Sequence, residues 1–413
     1  MRALSNDYQV ANVRPRDAKK LCALFSAVVS GSCDKEDGND RNAVPNSQEL
    51  PRFVFYLPKV ENIHIPSRSL LYSVFTKHGM RVEEKSNLLL HAMDKCAHLA
   101  VVIDGRAGVA FQNLSFRQSS MAGVRTVLLT RLSHMTRCCQ KHVMADSLAS
   151  LPFVPETYSA IRQPPRMRSG SGLTGLWFYK PALEAEGRGI ELLRDPGSVR
   201  VQKVPPYVLQ RGIDPPLLYR GHKFDVRIWV TVRGDGCYLV HRDGRLRFSS
   251  RPYLDTLDDP VAFITNVAYQ PSGSWRQEWP TRLSATPFYD NFMRQVEDAV
   301  HQTLCKMFMR QGADDGVCGS ALEEVEDSVY HLTGWDFIAD AEGKVWLLEI
   351  NSAPAAHDAD DAYALYGSWA KEMILFFSLG HGHPRARRVH KISKNHFGFQ
   401  QVAQPSRQKH AFR

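Results

Sequence analysis

The segment WDFIADAEGKVWLLEIN, residues 335–351, sets two carboxylates and a carboxamide among otherwise apolar residues. A strand that buries Glu349 two residues from Asn351 has a charge problem, because an ionised carboxylate removed from water needs a counter-charge. The intervening DAEG reads as a tight turn with glycine where positive φ is needed. An even-numbered loop pairs Ala339 with Lys344. Asp336 then lies opposite Leu347 and shares a face with Val345, Leu347, Glu349 and Asn351. Asp336, Glu349 and Asn351 converge in this reading as three oxygen donors, the kind of set that Mg²⁺ takes while leaving room for phosphate oxygens. The plainer alternative is that Glu349 pairs with a lysine or arginine across the sheet.

A nucleotide site also needs cations and a cover for the phosphates. Lys180 ends the run LWFYK and is followed by Pro181 and EAEGRGI, where Gly187 and Gly189 would let backbone N–H groups approach phosphate oxygens. In GHKFDVRIWV, alternation puts Lys223, Asp225 and Arg227 on one face and Phe224, Val226 and Ile228 on the other. A strand with three charges on one side either has an exposed edge or lines a charged site. Arg247, Thr265 and Asn266 add a cation and polar groups between these strands and the hairpin.

The positioning elements alternate in kind. Strands are expected at 53–57, 176–180, 207–210, 224–232, 237–241 and 344–351, with helices over SRSLLYSVFTKHGM and over 288–310. Residues 34–50 are charged and breaker-rich, so residues 1–50 read as a disordered leader and linker. Residues 161–175, rich in Pro, Gly, Ser and Arg, read as a mobile loop. The fold class is α+β, in a chain of 413 residues with room for two or three domains.

The net charge of +9 suits an acidic macromolecular partner. The tail, residues 381–413, has no Asp or Glu and reads as a solvated basic extension. The eight cysteines show neither CxxC nor zinc-finger spacing, and no secretory signal opens the chain, which is expected to be intracellular. The early apolar run LCALFSAVVSGSC is too short to span a bilayer, so no membrane partner is expected.

In order, the segments KP…GRGI, VLQ…PPLL…KFDVRIWVTV, LRFSS, ITN and WDFIADAEGKVWLLEINSAPA resemble the tubulin tyrosine ligase and ligase-like family of ATP-grasp enzymes. The resemblance runs from about Arg52 to Leu379. It implies an ATP-grasp fold with an N-terminal α/β domain (51–158), a central subdomain (159–222) and a C-terminal subdomain with the metal site (223–380), together sandwiching the nucleotide, followed by the basic tail. Carried over position by position, Lys141 and Lys180 would touch the ATP phosphates, as would the glycine turn of Gly187 and Gly189. Gln210 and Ile213 would hold adenine, and Lys223 and Asp225 would lie near the ribose and the reacting groups. Arg227, Arg247 and Asn266 would be catalytic, and Asp336, Glu349 and Asn351 would bind Mg²⁺.

The implied activity is ATP-dependent ligation of an amino acid to the acidic C-terminal tail of tubulin through an acyl phosphate, on cytoplasmic microtubules. The ending INSAPA and the chain length point to tyrosine as the free amino acid. The alternatives are polyglutamylation, glycylation, or a catalytically silent member that binds tubulin or RNA. The absence of aromatic-rich RNA-recognition motifs argues against nucleic acid. Four positions depart from the family pattern: Phe263 stands in place of a histidine, Arg211-Gly212 in place of Lys-Tyr, and Met80 in place of a tryptophan.

Overall fold

In the computed structural model the described residues are 52–56, 81–83, 97–103, 125–129, 132–160, 175–194, 207–309, 329–354 and 389–391, with short gaps inside these ranges at 183, 185–186, 255–256, 272–278 and 353, together with 372–373 and 376. The expected leader, the helix at 67–80 with Met80, and the loop at 161–174 lie outside them. The strands are β1 (Arg52–Tyr56), β2 (Arg81–Glu83), β3 (Ala97–Ile103), β4 (Arg125–Leu129), β5 (Thr157–Ala160), β6 (Trp177–Pro181), β7 (Glu191–Leu193), β8 (Tyr207–Arg211), β9 (Leu218–Tyr219), β10 (His222–Arg233), β11 (Cys237–Phe248), β12 (Val329–Ala339), β13 (Val345–Asn351) and β14 (Val389–Lys391). The helices are α1 (Ser133–Cys138), α2 (Lys141–Leu148) and α3 (Tyr289–Met309).

Two sheets result, in keeping with the expected α+β class. A ten-stranded sheet runs β14-β11-β10-β12-β4-β3-β1-β2, with β13 also on β12 and β9 on β10. A four-stranded antiparallel sheet runs β5-β8-β6-β7. β12 divides one of its edges between two partners. Val329 and Tyr330 pair in parallel with Leu128 and Leu129 of β4, and the stretch from Gly334 to Ala339 pairs with β13.

Strict alternation makes β10 the central strand. Phe224, Val226, Ile228, Val230 and Val232 enter the main core, where they meet Phe292, Met293, Val296, Val300 and Leu304 of α3. Those helix residues recur at three- and four-residue spacing, so one apolar stripe of α3 covers one face of the sheet. The opposite face of β10 carries the charged residues.

Three expectations are corrected. First, β11 continues past 241 to Phe248. Asp243-Gly244 has the composition of a turn, but Gly244 meets a packing demand inside the strand. A Cβ there would stand 2.4 Å from Ile228 Cδ1 and 2.8 Å from Val226 Cγ1.

Second, the hairpin register differs. Asp340 accepts from Lys344 N at 2.8 Å and from Trp346 Nε1 at 2.9 Å, and Gly343 turns the chain at φ 84°. Ala339 faces Val345 rather than Lys344, and Phe337 rather than Asp336 faces Leu347. Leu348 is then an extra residue, and the next pair is Asp336 with Glu349. Such a bulge reverses the parity of the strand. Val345 and Leu347 therefore enter the core, on the face opposite Asp336, while Glu349 and Asn351 turn onto the face of Asp336.

Third, within the acid-free tail Val389–Lys391 forms β14 on the edge of β11, so this part is a docked strand rather than a solvated extension. His390 stacks on Tyr238, with ring centroids 5.3 Å apart.

The crowding at Gly244 yields a stability test. Gly244→Ala must displace Ile228 or the β10 backbone and is expected to cost about 1–3 kcal/mol, read as a lower urea midpoint at an unchanged m-value. An unchanged midpoint would show that β11 does not pack this closely on β10.

Candidate active site

A cavity of about 340 Å³ is lined by residues of the four-stranded sheet and of the charged face of the large sheet, within the range of small-molecule sites. Reading across β13, β12, β10 and β11 in register, its floor is a row of Glu349, Asp336, Arg227 and Arg245. Two anions are thus followed by two cations.

The inner pair satisfies itself. Arg227 Nε and Nη2 donate to the two carboxylate oxygens of Asp336, with Nη2 2.8 Å from Oδ2. In the adjoining row, Arg247 Nε donates to Asp225 Oδ1 at 2.5 Å, and its Nη2 lies 2.9 Å from Asp336 Oδ2. The Thr265 hydroxyl donates to the other oxygen of Asp225. Two buried carboxylates and two buried guanidiniums thereby form one closed, neutral network of charge-assisted bonds. Burial alone would push the Asp336 carboxyl up, but Arg227 and Arg247 hold it well below the usual carboxylate range. Burial pushes Asp225 up, against the pull of Arg247.

The outer members differ. Glu349, its side chain 26% exposed, faces Lys141 Nζ at 3.8 Å. Its cation therefore comes from α2, not from across the sheet. Asn351 Nδ2 lies 3.4 Å from Asp336 Oδ2 and 3.3 Å from Glu349 Oε1. Two carboxylates directly opposite each other on neighbouring strands repel unless a positive group joins them. Asp336 and Glu349, with Asn351 turned to present its amide oxygen, fit a hard cation. Among the described residues no three or more His, Cys, Asp or Glu form a metal-binding group, so such an ion would have two carboxylates and one amide from the chain.

Both sheets supply lysines. Lys180 and Lys223 place Nζ 5.5 and 4.7 Å from the centroid of Phe178. Lys180 donates to Gln210 Oε1 at 2.6 Å, and Gln210 Nε2 donates to the Leu348 carbonyl at 3.2 Å, tying β8 to the bulge of β13. Gln210 thus lines the cavity with its amide already engaged. Burial lowers Lys223 to about 7, with Lys180 adding to the effect. Burial lowers Lys180 to about 8, against the pull of Glu349. Lys141 Nζ donates to the Glu184 carbonyl at 2.8 Å. Ile213, Ile338 and Leu348 give the cavity an apolar wall.

Of the residues singled out from sequence, Gly189 alone is not among those lining the cavity. Gly187 lines it, and Gly187 and Gly189 turn the chain with φ 77° and 69°. Asn266 lines the cavity while its side-chain oxygen accepts from Ala268 N at 3.0 Å, capping a short 3₁₀ turn. Phe263, in place of the expected histidine, is buried against Tyr253 and Phe178 and offers a wall rather than a donor. Sequence reasoning missed Arg245, Trp229 and Glu184, which also line the cavity. The period-two signal for Arg245 was present two residues before Arg247, but lay beyond the expected end of the strand.

A second array has the geometry of a hydrolase triad. Thr231 Oγ1 is 3.0 Å from His241 Nε2, and His241 Nδ1 is 3.1 Å from Glu372 Oε2. Thr231 and His241 are 0% and 1% exposed, so no substrate reaches them and the array is structural.

A model of the Tubulin-tyrosine ligase family matches residues 118–367, more than half of the chain, and every cavity residue named above falls within that segment. The chain is 32% identical over 198 residues to a probable tubulin polyglutamylase of Caenorhabditis elegans, covering 44% of this chain and 46% of that protein. It is 30% identical over 210 residues to a tubulin monoglycylase of Danio rerio, covering 46% and 27%. It is 28% identical over 214 residues to a Homo sapiens protein named inactive polyglycylase, covering 45% and 32%. The matches thus span less than half the length of each of these relatives.

The lowered lysines predict a pH dependence. An anion bound between Lys180 and Lys223 favours their ammonium forms, so binding takes up protons. Affinity is then full below about pH 7 and falls as pH rises through about 8. Calorimetry with inorganic triphosphate is expected to show a loss of roughly tenfold per pH unit between about pH 7 and 8, steepening toward about a hundredfold per unit above it as both lysines must take up a proton, and no more than roughly tenfold per unit in Lys223→Met. Equal pH slopes in the two proteins would remove Lys223 from the anion site.

Proposed function

Since the chain belongs to the Tubulin-tyrosine ligase family, we propose that it is an ATP- and Mg²⁺-dependent ligase that joins an amino acid to a carboxylate of an acidic protein tail, with tubulin as acceptor. The observation that carries this reading is the charged floor. One end offers two carboxylates and an amide to a cation, and the far end offers the Arg245 guanidinium to an anion.

In the proposed reaction an acceptor carboxylate oxygen attacks the γ-phosphorus of ATP, ADP leaves, and the amine of the amino acid then displaces phosphate from the acyl carbon, losing a proton as the amide forms. Two anions have to approach each other, so charge must be neutralised where they meet. Mg²⁺ held by Asp336, Glu349 and Asn351 would supply part of that neutralisation at the phosphate oxygens. Lys141, Lys180 and Lys223 would hold the phosphates, and Phe178, Ile213, Ile338 and Leu348 would enclose the base. Arg227 and Arg247, held in place by Asp225 and Asp336, would add positive charge beside the reacting oxygens. The net charge of +9 would steer an acidic tail to the cavity.

The expectation of tyrosine is not supported. The relatives named above are a polyglutamylase and glycylases, which favours glutamate or glycine as the added residue. A second reading, a member that binds tubulin without catalysis, is favoured by Phe263 in place of a polar group and by a relative named as inactive.

The test is parallel incorporation of labelled glutamate, glycine and tyrosine into tubulin with ATP and Mg²⁺, beside Glu349→Gln. Incorporation of glutamate or glycine is expected, reduced about 100-fold or more in the variant. Incorporation that survives the substitution undiminished would remove Glu349 from the metal site. Tubulin binding without incorporation of any amino acid would establish the non-catalytic reading.

A further inference from the structure

Arg245 is the fourth member of the charged row, and the other charges of the floor leave it unsatisfied. It stands directly opposite Arg227 in the pairing of β10 with β11, a position where like charges on neighbouring strands oppose pairing. Arg227 is engaged by Asp336, and Arg247 by Asp225 and Asp336. Arg282, which meets Arg245 in an isolated bridge, is engaged by Asp243. Among the described residues Arg245 has no ion pair or side-chain hydrogen bond. It is half-buried and lines the cavity. A guanidinium held beside another, in a cavity whose inner charges cancel, has no anion among the described residues.

The row also fixes where that anion would lie. Glu349 and Arg245 are its two ends, three strand spacings or roughly 14 Å apart. The cation-binding end and Arg245 are therefore on opposite sides of Arg227. Trp229, two residues along β10 from Arg227, lines the same cavity.

We propose that Arg245 is a substrate-binding, specificity-determining residue that takes a carboxylate of the amino acid or of the acidic acceptor peptide, at the end of the cavity remote from Glu349. The assignment rests on the ligase reading for the name of the substrate, but its chemistry, a fork-shaped cation for a carboxylate, does not require turnover. Arg245 acts here in binding and orientation, and no proton or bond change is assigned to it.

The experiment compares wild type with Arg245→Gln and Arg245→Lys in two arms. Steady-state KM is measured for L-glutamate and glycine as donors and for a glutamate-rich tubulin-tail peptide as acceptor. Binding of L-glutamate and of the peptide is measured without turnover by calorimetry, with nucleotide affinity and melting temperature as controls for folding. Arg245→Gln is expected to raise one carboxylate-bearing substrate's KM and Kd by about 10- to 100-fold, with Arg245→Lys between, while the controls stay unchanged. A rise for glutamate alone assigns the donor's side-chain carboxylate. A rise for glutamate and glycine together assigns the donor's α-carboxylate, and a rise for the peptide with either donor assigns the acceptor. KM and Kd values all within twofold of wild type overturn the proposal. If wild type joins none of the amino acids, the ligase reading fails by itself. The binding arm then decides: weaker glutamate or peptide binding in Arg245→Gln upholds the carboxylate site, and equal or absent binding overturns it.

Discussion

Arg227 and Asp336 hold each other across β10 and β12, and the remainder of the site is arranged around that pair. Removing one partner of a buried ion pair leaves an uncompensated charge, at a cost of about 3–5 kcal/mol, so the register between these strands is tied to the charge balance of the cavity floor. The pair also imposes a demand on its neighbour. Gly334 lies under the Arg227 stem, where a Cβ would be 2.9 Å from Arg227 Cδ and 2.6 Å from Pro354 Cβ. Because Asp225 and Arg247 extend the pair into a neutral network, the buried centre is settled internally. The capacity to bind ions is displaced to the two ends of the row.

The two sheets divide the chemistry between them. The four-stranded sheet brings Lys180 and the aromatic ring of Phe178, and the large sheet brings the charged row. Lys223, on β10, reaches the same ring from the opposite side of the cleft. Gln210 joins the two sheets directly, with one end of its amide on Lys180 and the other on the backbone of the bulge. An anion that draws Lys180 away from Gln210 breaks a bond within the four-stranded sheet and leaves the bond of Gln210 to Leu348, the one between the sheets, in place.

Much of this was legible in the sequence where a single period governs a strand. The alternation of β10 separates core from charge residue by residue, and the cavity face carries Lys223, Asp225 and Arg227 as expected. Legibility fails where packing overrides the local signal. The strand expected at 237–241 stops short of Asp243-Gly244, and glycine has two uses, freedom of φ and absence of a side chain, that composition does not tell apart. The second use applies here, and with it Arg245 was lost from view. The hairpin register failed for a related reason. A bulge is set by cross-strand pairing, and the run Trp346-Leu347-Leu348 contains no residue that marks where the pairing slips. The fold class and the convergence of Asp336, Glu349 and Asn351 were nevertheless reached, although by a register that the structure replaces.

The bulge at Leu348 has a consequence for how such a site can change over time. Because it reverses the side to which every later residue of β13 points, the strand is two half-strands of opposite phase joined at one residue. Replacing Leu348 by another apolar side chain alters only the wall of the cavity. Deleting it would remove the bulge and leave a regular ladder, in which Glu349 follows Leu347 directly and still points to the cavity with Asn351 while Ile350 stays in the core. Such a site can therefore vary residue 348, in identity or in presence, without turning Glu349 and Asn351 away from Asp336.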